Sequence, residues 1–582
     1  MPTESLLSEF PPVTTEQWEH IIRQNITGPE YASKLISHPE EGLAVRPYYR
    51  SDDLTCLHFL EAAPGAFPFV RGTRSTGDWR IREEIDVADP EEANRAASAA
   101  VAAGAGEIAF HRTKLKGQAD LAILLANLHE IHISFEGPSP ETLRILVERL
   151  IKRPHGTFVS ADIDPLADLD LSAELLRNAP PGFRPFVIHA DEFQEHAAGA
   201  IEEVGFALSA AVDFVAEMQE RGLTVDRTAG SLSFWFAIGP EFFIQTAKLR
   251  AFRMVWAKVV ESFGGTHLAA RAAIHARTAH WNETIYDPHV NILRGTTEAI
   301  SAILGGADSV SVAPFDNCYR QADENSRRLA RNTQIILKQE ALLSRVADPI
   351  GGSYLIEVLT NTIASKAWKL FQELETAGGY RKALATGIIA DVLERRLSSR
   401  DEAVACRRLV LTGTNRFADA SDQALDRVDV LQLDSMPRVA QPFEEIRLRT
   451  DQFSIQTVEQ PRIVLAEIGD RKMRSARSQF TADFLACAGF VTQKQKFDSA
   501  EKIALCKADV IVLCSSDAEY LPIAAELMPI LKERRSPAKV LIAGNPETAP
   551  QLGNIGIVDF IHLRSNAVEV LTRLQRLIGS RD

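Results

Sequence analysis

Cysteine is scarce in this chain of 582 residues. Its six cysteines (Cys56, Cys318, Cys406, Cys487, Cys506, Cys514) stand singly, with no Cys-x-x-Cys or other metal spacing. That excludes a disulfide scaffold and a cysteine-ligated zinc, and suits reduced thiols in a reducing compartment. No apolar run reaches the ~18 residues of a membrane span. The acidic N-terminus has neither an apolar signal segment nor the Arg-rich, acid-poor character of a transit peptide, so a cytoplasmic protein is expected. Positive charge is in deficit, 64 Lys and Arg against 78 Asp and Glu for a net charge of −14. Nucleic acid is therefore a poor partner, because phosphate-backbone binding rests on clustered Lys and Arg. Gly305-Gly306 and Gly351-Gly352 are not followed by Lys-Ser/Thr, and Ser515-Ser516 lacks the flanking glycines of a nucleophile elbow. No histidine occurs between Asp451 and Ile561.

What is present is ordinary for a globular chain, with 45% hydrophobic and 24% charged residues. Residues 1–54 read as an arm with one helical stretch, Thr15 to Gln24, that needs another surface to pack on. Over residues 55–396 short β-rich runs alternate with helical patterns such as Pro90–Ala103 and Ala198–Glu220. The strands expected are Glu107–Phe110, Ile131–Phe135, Thr157–Ser160, Phe186–His189, Leu232–Phe236, Ala269–Ile274 and Ser309–Val312. Seven such runs, with an eighth easily missed, predict a closed (β/α)₈ TIM barrel. Residues 397–460 show no sustained period and read as a surface-wrapping linker. From 461 to 582 the runs Arg462–Glu467, Asp509–Cys514, Lys539–Ala543 and Ile557–His562, with an edge strand at Phe490–Thr492, predict a flavodoxin-like doubly wound α/β domain. Val568, Leu571, Leu574 and Ile578 fall on one face of a closing helix.

Specific blocks sharpen this outline. Leu232–Val255, with the run Ala247-Lys248-Leu249-Arg250-Ala251, precedes Asn291–Gly306, Arg331–Gln339 and Asp348–Tyr354, and Trp79-Arg80-Ile81-Arg82 stands near the start of the barrel. In content and order these resemble the methylmalonyl-CoA mutase family, strongly over about residues 65–395 and more weakly over 461–582. The resemblance implies a TIM barrel and a cobalamin-binding-type C-terminal domain. It also implies adenosylcobalamin chemistry on an acyl-CoA, in which the protein ligates cobalt from below and polarises the thioester.

The working residues of that family are missing. Its lower cobalt ligand lies in Asp-x-His-x-x-Gly; the matching positions here are Lys472, Arg474 and Arg477, and the tract Glu467–Arg477 reads as a solvated loop. The later glycine loops are altered too, at Cys514–Glu519 and Ala543–Pro546. The cation cluster of Lys472, Arg474 and Arg477 could instead hold phosphate at a helix N-terminus. The catalytic histidine position is taken by Glu192, with His189 and His196 nearby but out of register. The active-site tyrosine has no counterpart in Arg71–Asp78, and the substrate-touching Gln-Thr-Ser-Gly is represented by Arg277-Thr278-Ala279-His280. Phe234, Trp235 and Phe236 are bulky enough to close the barrel axis. His275, His280, Asp287 and His289 lack the spacing of a metal site.

The resemblance therefore assigns this chain no catalytic, cofactor-binding or metal-ligating residue. It implies a small subunit that supports a larger catalytic mutase subunit in an αβ heterodimer, with adenosylcobalamin on the partner, no nucleic acid and no membrane. Two other readings stay open: an active acyl-CoA mutase with unusual cobalamin binding, or a nucleotide- or acyl-CoA-sensing regulatory module.

Overall fold

The computed structural model of the protein describes residues 13–26, 30–39, 42–129, 131–152, 158–180, 182–428, 437–457, 461–548 and 550–579. Eight parallel strands close into a barrel: β1 (Arg80–Asp86), β2 (Glu107–His111), β3 (His132–Glu136), β4 (Phe158–Ile163), β5 (Arg184–His189), β6 (Leu232–Ile238), β7 (Ala273–Thr278) and β8 (Ser309–Ser311). Each pairs with its neighbour in sequence, and β8 returns to β1. The eighth strand is β1, where the Trp-Arg-Ile-Arg block continues in extended form. The seventh was expected at Ala269–Ile274 and lies instead at Ala273–Thr278, with His275 and Arg277 inside it.

Helices cover the barrel, some along one apolar stripe and others, such as Phe242–Ser262, buried on most sides. Pro90–Ala102 starts where the Asp89 carboxylate caps the amides of Glu91 and Glu92, and it buries Ala93, Ala97 and Ala100. The helix Phe242–Ser262 receives Phe234 and Phe236 of β6 against Phe252 and Trp256. On the same helix Lys248 pairs with Glu203 and donates to the Ala237 carbonyl. Arg250 donates from Nη2 to both oxygens of Glu357, at 2.8 and 2.9 Å, and from Nη1 to Asp348. Arg71 meets the other oxygen of Asp348 at 2.7 Å. Three widely separated sequence blocks thus converge on one buried ion cluster outside the strands.

A second sheet has five parallel strands, β9 (Ile463–Glu467), β10 (Thr492–Lys496), β11 (Val510–Cys514), β12 (Lys539–Ile542) and β13 (Asp559–Phe560), in the order β10-β9-β11-β12-β13. The apolar β9 and β11 are buried throughout. The polar β10, with Lys494 and Lys496, stands at one edge, where lysine discourages further pairing.

The stretch 397–460 is more ordered than its composition suggested. It contains the helix Gln441–Thr457, whose Phe443 and Ile446 are buried against the second sheet. Gln575 of the closing helix donates to the Ile446 carbonyl at 2.6 Å and to the Thr450 hydroxyl at 2.8 Å. The other side of this helix faces the barrel: the Ile285 amide donates to Glu444 at 2.8 Å and the Tyr286 hydroxyl to Asp451 at 2.7 Å. Val430, Leu431 and Leu433, apolar residues of the same stretch, lie outside the described residues. In the arm, the helix Thr15–Asn25 leans on the following segment through Trp18 and Tyr48, with ring centroids 5.9 Å apart, and through a Thr15–Asp52 hydrogen bond of 2.9 Å. Trp18 and Ile21 stay about half exposed.

Candidate functional site

A strand places alternate side chains on opposite faces, and β1 puts Arg80, Arg82, Glu84 and Asp86 toward the barrel interior. A TIM-type interior is ordinarily filled by branched apolar side chains. Here Arg82 crosses it. Its Nη1 donates to Glu107 of β2 at 3.0 Å, its Nη2 to Glu136 of β3, and its guanidinium lies 4.4 Å over the ring of Trp235 on β6. Trp235 in turn sets its edge against His189 and His275, with centroids 5.0 Å from each. Burial works against the Arg82 charge, but Glu136 and Glu107 outweigh it and hold the guanidinium more firmly protonated than usual. This crosspiece separates two cavities, about 580 Å³ at the C-terminal ends of the strands and about 430 Å³ at their N-terminal ends; Arg82 lines both. Of the three aromatics expected to close the axis, only Trp235 faces inward. Phe234 and Phe236 point outward, as strand alternation requires.

The C-terminal mouth is where TIM-barrel enzymes place their chemistry. His189, ending β5, lies between two carboxylates, with Nε2 2.6 Å from Asp162 and Nδ1 3.2 Å from Asp191. Arg277 closes the chain on Asp191 at 2.8 Å. Burial opposes the charge of the imidazole, but its two carboxylate partners raise its pKa to about 10. A group held protonated so far above neutrality is poorly matched to proton transfer at pH 7. Glu192 is exposed on the short helix Ala190–Glu195. The exposed His196 has Nδ1 2.8 Å from the Glu192 carbonyl. Glu195 turns inward and accepts from the amides of His280 and Trp281 at 3.0 and 3.1 Å.

The remaining candidates are dispersed. His275 is buried inside the barrel against Ser309 at 2.9 Å, and burial drives it well below its usual pKa. His280 pairs with Glu283, His289 stacks on Phe315, and the Asp287 amide donates to Asp422. Among the described residues no three His, Cys, Asp or Glu side chains are grouped to hold a metal ion. Arg71 and Arg74 are committed to Asp348 and Asp308, and the hydroxyl of Thr278 caps the Ala313 amide.

In the second sheet the tract expected as a solvated loop is largely helical. Asp470 accepts from the Met473 amide at 2.8 Å and starts the helix Arg471–Ala486 directly after β9. The crevice between β9 and β11, where strand order reverses, is the place for a ligand in open α/β sheets. It is bridged from within. Glu519 takes the hydroxyls of Ser515 and Ser516 at 2.7 and 2.6 Å and the Asp470 amide at 3.1 Å, which together lower its pKa to about 2. A Cβ on Gly469 would fall 2.4 Å from Glu519. Arg477 reaches across to the Ala543 carbonyl at 2.9 Å and to Asp517 at 2.7 Å, beside the Tyr520 ring. Lys472 is exposed, and Arg474 donates to the Gly469 carbonyl. These residues fit a corrin poorly: they include no imidazole to ligate cobalt, and Glu519 and Arg477 spend their hydrogen bonds on one another's neighbouring loops across the crevice.

Comparison with known proteins places this geometry in context. The family model described as methylmalonyl-CoA mutase matches residues 38–118 and 166–474. A methylmalonyl-CoA mutase small subunit of Porphyromonas gingivalis is 33% identical over 99% of this chain and 99% of its own length. Its counterpart from Streptomyces virginiae is 31% identical over 98% and 97%. A methylmalonyl-CoA mutase of Rhizobium meliloti is 30% identical over 75% of this chain and 68% of its own. The chain belongs to the methylmalonyl-CoA mutase family.

Proposed function

We propose that this chain is the non-catalytic small subunit of an adenosylcobalamin-dependent methylmalonyl-CoA mutase. It supports a larger catalytic subunit that interconverts (R)-methylmalonyl-CoA and succinyl-CoA. The observation that carries this reading is the Arg82–Trp235 crosspiece. A substrate cannot run along a barrel axis held shut by a buried cation between two carboxylates, because breaking either contact leaves a buried charge without its partner. The missing imidazole and the bridged crevice of the second sheet support a cobalamin held by the partner. The small-subunit names of the relatives similar over nearly the full chain agree. In this reading residues 1–54 are an arm, 55–396 the mutase-like barrel, and 397–460 a connection carrying one helix. Residues 461–582 form a flavodoxin-like, degenerate cobalamin-type domain, for which the strand order β10-β9-β11-β12-β13 is the support. The heterodimer works in the cytoplasm.

Co-expression with the larger subunit, followed by size-exclusion with light scattering and cobalamin quantitation, tests the proposal. One cobalamin per heterodimer is expected, with none taken up by this chain alone at micromolar concentration. Alone, the chain should self-associate or melt early, and the partner should rescue it. Stoichiometric corrin uptake by the isolated chain, or a stable monomer that ignores the larger subunit, would overturn the reading.

A further inference from the structure

The carboxyl group of Glu298 lies outside both mouths of the barrel. It sits on the helix Val290–Leu304 and is 1% exposed. Among the described residues one group donates to it, the Asn282 side-chain amide, whose Nδ2 is 2.8 Å from Oε1. Asn282 is itself 1% exposed, and its Oδ1 is buried with no donor among the described residues. A buried carboxylate with one neutral donor is costly, and so is a buried amide oxygen with none. A single proton relieves both. A carboxylic acid is donor as well as acceptor, so its O–H can satisfy Oδ1 while its other oxygen accepts from Nδ2.

The surroundings favour that neutral form. Two further carboxylates bear on Glu298, those of Glu283 in the loop after β7 and Glu195 of the helix Ala190–Glu195. The cations are committed elsewhere. Arg294, one turn before Glu298, donates to the Thr284 hydroxyl at 3.1 Å, to Asn291 Oδ1 at 2.7 Å and to the Thr412 carbonyl at 2.7 Å. His280 is 2.8 Å from Glu283, Arg277 of β7 is on Asp191 and Arg438 is on Glu444. The helix Phe242–Ser262 keeps Lys248 on Glu203, Arg250 on Glu357 and Arg253 on the Gly305 carbonyl. Arg331 of the helix Glu324–Gln339 is on Glu83, and β6 and β8 carry no ionisable side chain. Burial and the two carboxylates outweigh the Asn282 donor and Arg294, and raise the pKa of Glu298 to about 8.

Asn282 stands between the two residues that seat the second body. The Trp281 carbonyl accepts the Val439 amide at 3.0 Å, and the Glu283 carbonyl accepts Arg438 at 3.1 Å. We propose that Glu298 is carried as a neutral acid clasping Asn282 through two hydrogen bonds, and that losing this proton to solvent frees the loop on which the second body is seated. The pair is thus a proton-operated latch between the barrel and the five-stranded sheet. A folded-state pKa above the ordinary 4.5 sets the latch fully below 4.5, and its hold is lost as pH climbs to about 8.

Glu298→Gln tests this, because the carboxamide keeps the donor and the acceptor of the neutral acid and cannot ionise. Hydrogen exchange over residues 437–451 of the full-length chain is compared between variant and parent at each pH, so that the intrinsic chemistry of exchange cancels. The protection of the variant relative to the parent should grow about tenfold per pH unit up to about pH 8, then level off. The parent-minus-variant infrared spectrum at about pH 6 should show one protonated carboxyl, gone by about pH 9.5. Asn282→Ala should bring the protection at the acid end down toward that of the parent at the alkaline end. Thermal melting checks the folding of both variants, and should Glu298→Gln fail to fold, Asn282→Ala carries the test. A ratio of protection that ignores pH, a difference spectrum without a protonated carboxyl, or unchanged protection in folded Asn282→Ala would overturn the proposal.

Discussion

Replacing Arg250 with Met should lower the free energy of unfolding by about 3–5 kcal/mol. Arg250 is 1% exposed, and its Nη2 donates to both carboxylate oxygens of Glu357 while its Nη1 holds Asp348. The variant keeps the apolar length of the side chain but leaves two buried carboxylates with one remaining cation, Arg71. Glu357 would retain only neutral donors such as the Gly352 amide at 2.8 Å. The double variant Arg250→Met/Glu357→Leu should recover part of the loss, since apolar replacement of a whole buried pair is often tolerated. Urea unfolding followed by circular dichroism reads both effects. A loss below about 1 kcal/mol, the level of exposed ion pairs, would show that the cluster is not the tie between helices described above.

His189→Gln should cost about 3 kcal/mol at pH 7, and its cost should shrink as the pH rises. The imidazole is ordinarily half-protonated near pH 6.5, whereas here Asp162 and Asp191 raise it to about 10. A raised folded-state pKa stabilises fully below the unfolded value and is lost as pH climbs through the folded one. The pH window is thus 6.5 to 10: parent and variant should differ most at its acid end and converge toward its alkaline end. A difference that stayed constant across this window would mean that His189 acts through packing on Trp235 rather than through charge.

Much of the architecture was legible because its signals are local. Buried parallel strands such as Val510–Cys514 are apolar on both faces, and the run Val-Ile-Val-Leu-Cys announces this. The interior of the barrel was not legible, because it inverts that expectation. β1 carries Arg80, Arg82, Glu84 and Asp86 at alternate positions, so its inward face reads as a solvated stretch. The period of two in its charges was the available signal. The same polarity moved β7, where the apolar Ala269–Ile274 drew attention away from His275 and Arg277. Asp470 three residues before the Met473 amide marked a helix start in the tract assigned to a loop. Phe443, Ile446 and Thr450 marked one face of a helix in the supposed linker. The crosspiece could not be read from sequence, since Arg82, Glu107, Glu136 and Trp235 meet only through barrel closure.

The helix Gln441–Thr457 has a consequence for how the molecule comes apart. It shares its buried face with the second sheet and its acidic side chains with the barrel loop at Ile285 and Tyr286, so neither body can melt without exposing groups of the other. The barrel-to-sheet boundary should behave thermodynamically as an interior. Calorimetry should record one cooperative transition, and limited proteolysis should leave the 437–457 stretch uncut until the whole described chain gives way.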